Sequence, residues 1–146
     1  MKNHFRNLLT LTLSICMLTA TVSSTTIYGN EITPRYNNTA SASLNTTVNS
    51  NGTLTISYNC QGYSSATSKI VITTYIEKQF LFFFWTRVDI GTTNNEWSQT
   101  INNYRYTGTL TFMLPSTGTY RTTVTYKVYG SGGTTDEITK EDIITY

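Results

Sequence analysis

Histidine occurs once in this sequence, at His4, and cysteine twice, at Cys16 and Cys60. Past residue 29 the chain therefore has no imidazole and a single thiol. That excludes His-based triads and His metal sites there, and it leaves Cys60 without the partner that activates a thiolate nucleophile. A lone thiol also excludes an internal disulfide, so the fold must stand on its core. Cys60 itself reads as a small buried hydrophobe. The only glycine-rich run, GSGG at 130–133, lacks the lysine and helix that would make it a phosphate loop. Helical apolar periodicity is absent beyond the N-terminal segment, and proline is confined to Pro34 and Pro115.

Charge is sparse, and its one asymmetry lies at the N-terminus. Lys2 and Arg6 precede a mostly apolar stretch from Leu8 to Val22, followed by the polar SSTTIYGNEI. This order is that of a secretory signal, with Ala20, Ser24 and Gly29 each small enough to precede the cut. Cleavage after Gly29 is favoured because the polar NEITPRY then begins the exported chain. LSIC at Cys16 lacks the small residue of a lipoprotein signal, since Ile15 stands there. Without residues 1–29 the remaining chain holds eight basic and eight acidic residues. No global positive field remains to attract nucleic acid. The chain is expected to be exported, with a signal at 1–29, a polar lead-in at 30–40 and one domain at 41–146.

What is abundant is Thr, Val, Ile and Tyr, which favour a pleated surface. Alternation recurs along the chain. Ala42, Leu44, Thr46 and Val48 share a phase, then Asn51-Gly52 turns the chain, then Leu54, Ile56, Tyr58 and Cys60 share another. This predicts a hairpin. Ile70, Ile72, Thr74 and Ile76 alternate in SKIVITTYIEK, and WTRVDI resumes a strand to Ile90. Gly108, Leu110, Phe112 and Leu114 point inward before Pro115 stops the ladder. Tyr120, Thr122, Val124, Tyr126 and Val128 share the inner face of the next strand. In the last run Ile138 and Ile143 fall on opposite phases, which requires a bulge near Lys140 or an exposed isoleucine. About seven short strands with turns between them predict an all-β, antiparallel two-sheet sandwich.

STGTYRT at 116–122 resembles the start of strand F in immunoglobulin-like domains, with Thr122 where the second cysteine would stand. Lacking the bridge, the likeness is closer to a fibronectin-III-like sandwich. EITPRYNN, the IEK…WTRV hairpin and TYRTTVTYKVYGSGG together resemble a family of small secreted bacterial proteins of unknown function. That resemblance covers most of 31–146 and implies an exported single domain without supplying chemistry.

Several motifs have plain structural readings. LPSTG at 114–118 has the letters of a sortase signal, but alternating strands follow it rather than an apolar stretch and basic tail. Pro115 and Gly118 read as a turn. The carboxylates left as catalytic material include Glu77 and Asp89, neighbours if their strands pair, but Lys78 and Arg87 beside them favour solvated ion pairs over a glycosidase pair. DEITKED at 136–142 lacks calcium-loop spacing and reads as charge that protects a sheet edge. Tyr63, Tyr75, Tyr104, Tyr106 and Tyr129 are candidates for an outer stacking surface, or simply half-exposed strand residues. No cofactor, metal site or catalytic residue is expected.

One run resists the alternating pattern. Phe80, Leu81, Phe82, Phe83, Phe84 and Trp85 are apolar on both phases and fall where the chain must reverse. Sandwich strands normally show one apolar face. The run is therefore packed under a loop, or forms a contact for a protein partner or a second copy, or dips into a membrane surface with Lys78 and Arg87 near anionic head groups. The expected function is that of a secreted, non-enzymatic binding module using residues 80–85. A membrane-active protein using the same hairpin is the second reading, and a carbohydrate-processing enzyme the third.

Overall fold

The structure, a computed structural model, describes residues 36–146. The expected export signal and most of the lead-in lie outside the described residues. Alternating β-branched and aromatic residues build eight strands: β1 (Thr39–Val48), β2 (Thr53–Gly62), β3 (Thr67–Phe80), β4 (Phe84–Arg87), β5 (Trp97–Ile101), β6 (Arg105–Met113), β7 (Thr119–Gly130) and β8 (Asp136–Thr145). They form two antiparallel sheets. One has the order β1-β2-β6; in the other, β8-β7-β3 is completed by β4 and β5, which share the remaining edge of β3. The protein is an all-β sandwich.

The inward phases are those the alternation predicts. Leu54, Ile56 and Cys60 of β2 meet Ile70, Ile72 and Ile76 of β3 and Val124 and Val128 of β7 in one core. Two buried tyrosines keep their hydroxyls bonded, as burial of a polar group demands. Tyr126 Oη donates to the Ser43 carbonyl at 2.7 Å and Tyr120 Oη to the Ser116 carbonyl at 2.6 Å. The second bond is a tyrosine corner, reaching back four residues from Tyr120 near the start of β7. Thr122, two residues on, is wholly buried, and its hydroxyl has no hydrogen-bond partner.

Two features differ from the sequence reading, and of the two alternatives it left for β8 the exposed isoleucine holds. The eighth strand, β5, is too short and too polar for its alternation to register; it pairs with β3 from Ile70 to Thr74. β4 ends at Arg87 rather than Ile90, and Asp89 Oδ1 accepts from the Gly91 amide to turn the chain. β8 pairs with β7 in unbroken register, so no bulge forms at Lys140 and Ile143 is exposed instead.

Acidic residues of β8 close the sandwich at the free edge of β1. Asp142 Oδ2 accepts from the Thr46 amide and hydroxyl at 2.8 and 2.6 Å. Asp136 is buried and accepts from the amides of Asn37 and Asn38 and the hydroxyl of Thr39. Burial raises its carboxyl, but the bonds from Asn37, Asn38 and Thr39 outweigh that and hold it below the ordinary carboxylate range. Asn38 is completely buried and fully bonded. Its amide side chain donates to the Thr134 carbonyl and accepts from the Gly132 amide, and its own carbonyl accepts from Tyr63 N. The last residues of the expected lead-in thus belong to the sandwich. Gly130 allows this closeness: a Cβ there would lie 2.2 Å from the Ala66 carbonyl oxygen. Residues 35–146 form a compact unit with a hydrophobic core of its own, the anatomy of an independently folding domain.

Candidate functional site: the tip of the β3–β4 hairpin

β3 runs past the end of its neighbour. Its last partner on β7 is Tyr120, opposite Lys78; Gln79 and Phe80 pair only with Trp85 and Phe84 of β4. The hairpin therefore overhangs the sheet, and the apolar run occupies the overhang. Residues Phe80, Leu81, Phe82, Phe83 and Phe84 are 59, 62, 85, 83 and 64% exposed. The reading in which a loop covers the run is overturned: among the described residues nothing covers it. A fully exposed Phe offers about 150–250 Å², so the five side chains present about 600 Å² of apolar surface, the upper end of the patch sizes seen on soluble monomers.

The turn itself is unusual. Leu81 and Phe82 have φ of 48° and 64°, the left-handed region that bulky side chains avoid. No glycine or asparagine stands where such a turn normally uses one. The turn is held by two hydrogen bonds of 2.8 Å, from Phe83 N to the Leu81 carbonyl and from Gln79 Nε2 to the Phe82 carbonyl.

Trp85 separates from the group. It is half-buried on the outer face of the sheet, where the Arg121 guanidinium lies 4.6 Å from its ring centroid. Arg121 also donates to Glu77 Oε2 at 2.9 and 2.6 Å and approaches Glu141 at 3.7 Å. The bonds to Glu77 raise its guanidinium above the ordinary arginine value. Arg87 stacks on Tyr75 at 3.6 Å and faces Glu96 at 3.8 Å. Lys78 turns to the other face and donates to Ser116 Oγ at 2.6 Å. The cations flanking the tip are thus engaged with the protein. Below the overhang, Lys78, Phe80, Thr86, Val88, Asp89 and Pro115 line an open cleft of about 450 Å³.

The other candidates are placed elsewhere. Glu77 pairs with Arg121, while Asp89 bonds its own turn. Glu137 faces Lys127 at 3.4 Å. Leu114 of LPSTG is buried, and Gly118 exchanges backbone hydrogen bonds with Tyr146. Of the five tyrosines considered for an outer surface, Tyr106 packs against the core instead, and three carry a cation on the ring: Lys69 over Tyr129, Arg87 over Tyr75 and Arg105 over Tyr104. Those faces are occupied from within, which leaves little for stacking on a sugar. Burial pushes the Cys60 thiol up to about 11. Among the described residues no group of three or more His, Cys, Asp or Glu is close enough to hold a metal.

Comparison with protein-family models and with curated proteins gives no match.

Proposed function

We propose that the protein is a secreted, non-enzymatic binding module acting at the cell exterior, with the hairpin tip Phe80–Phe84 as its contact. The carrying observation is the exposure of five consecutive large apolar residues on an overhanging hairpin. Water contact with such a surface is unfavourable by roughly 1.5–3 kcal/mol for each fully exposed large side chain, relative to burial. The signal-like N-terminus supports export, and the likeness to immunoglobulin and fibronectin-III sandwiches fits a rigid scaffold that presents loops at its ends. The ion pair of Glu77 and the local bonding of Asp89 favour this reading over a carbohydrate-processing enzyme.

The test compares residues 35–146 with the same protein carrying Phe82→Ser and Phe83→Ser. Sedimentation velocity reports self-association, and retention on the producing cells reports a surface partner. The parent protein is expected to associate in at least one assay and the equally stable double variant in neither. Identical behaviour of the two proteins in both assays overturns the tip as a contact.

A further inference from the structure

The tip carries features that select among occupants. We propose that it inserts into the interfacial layer of a lipid bilayer, an inference that rests on the binding role above and names its partner. First, the overhang is apolar all round: Phe80 and Phe84 sit on the core-facing phase, and Leu81, Phe82 and Phe83 are exposed at the turn. A protein groove covers one side of a hairpin, whereas acyl chains cover every side. Second, no formal charge occurs from Gln79 to Thr86.

Third, the turn satisfies two of its carbonyls from within. The carbonyls of Leu81 and Phe82 accept from Phe83 N and Gln79 Nε2. Hydrocarbon demands such internal partners and water does not. Fourth, the dimensions fit. Phe82 lies two residues beyond the Phe80–Phe84 pair, so the apolar part is about 7 Å tall at a strand rise near 3.3 Å. Interfacial elements bury about 5–10 Å. Trp85 and Gln79 form the next layer, and an amphipathic indole suits the headgroup level.

Electrostatic attraction is secondary to the apolar tip: Arg87 faces Glu96 and Arg121 is paired with Glu77, while Lys78, bonded to the neutral Ser116 hydroxyl, keeps an uncompensated charge. Association is therefore driven by the apolar tip and needs no anionic lipid.

Flotation of residues 35–146 with phosphatidylcholine vesicles, and with vesicles containing phosphatidylglycerol, tests this in low and high salt. The protein should float with both, with little salt effect, and Phe82→Ser with Phe83→Ser should lower partitioning at least about tenfold. With Trp97→Phe, the remaining Trp85 should shift its emission to the blue on mixing. Failure to float with either vesicle overturns the proposal. So does flotation confined to anionic vesicles in low salt, or equal flotation of the double variant. Tip-dependent self-association or cell retention without flotation overturns the lipid assignment while the tip remains a contact.

Discussion

The backbone amide of Asn38 donates to Asp136 Oδ2 at 2.8 Å, joining residues 98 apart in sequence and tying the start of β1 to the start of β8. Asp136→Ala leaves the buried amide of Asn38 and the hydroxyl of Thr39 without their acceptor. A loss of about 2–4 kcal/mol is expected, read by urea unfolding. The folded carboxyl titrates below its unfolded value. Its contribution is therefore present in full above the unfolded pKa of about 4 and is lost as pH falls through the folded one. The stability gap between parent and variant should narrow as pH falls below about 4.

Cys60 offers an opposite pH dependence. Burial raises its thiol to about 11, and burial likewise raises the phenols of Tyr126 and Tyr58. Each group favours its neutral form in the fold, so the stability it contributes is complete below its unfolded pKa and falls away as pH climbs through the folded value. Ellman's reagent at pH about 8 should leave the folded protein unlabelled and react with one thiol per molecule of residues 35–146 in denaturant. Thermal stability should decline above about pH 9.

Leu81 and Phe82 hold a strained turn in an exposed position. Replacing them with Asn and Gly, the residues that this backbone favours, should relieve about 1 kcal/mol of strain. For a domain of this size the melting temperature should rise by about 4 °C. The same variant should lose tip-dependent association. Stability gained with binding lost identifies strain retained for contact; unchanged stability removes the strain from the explanation.

Export is expected to process the chain. Expression of the full sequence in a secretion-competent host should place the protein in the medium, and N-terminal sequencing should begin after Ala20, Ser24 or Gly29. Recovery inside the cell with Met1 intact contradicts an export signal.

Much of the fold was legible because burial on one face imposes period two. The inward sets of β1, β2, β3, β6 and β7 follow their alternation, and STGTYRT marks the turn where Tyr120 bonds Ser116. The β5 strand was not legible, since Ser98, Gln99 and Thr100 form one exposed polar run between half-buried Trp97 and Ile101. The roles of Asp136 and Asp142 were also hidden: edge charge and an inter-sheet tie use the same residue types, and only three-dimensional proximity to Asn38 and Thr46 distinguishes them. At the tip, the excess of apolar residues over available core was readable. The left-handed turn was not, because the glycine that signals one is missing, and neither was the departure of Trp85 to the Arg121 guanidinium.

The inertness of Cys60 permits the most direct test of the tip as the contact. In residues 35–146, Phe83→Cys labelled with an environment-sensitive dye reports the β3–β4 turn, and Ser65→Cys reports the exposed β2–β3 turn at the far end of the sandwich. On mixing with phosphatidylcholine vesicles, the dye at 83 is predicted to move to an apolar environment while the dye at 65 stays in water. A dye at 83 that remains in water, or equal shifts at both positions, would contradict insertion through Phe80–Phe84.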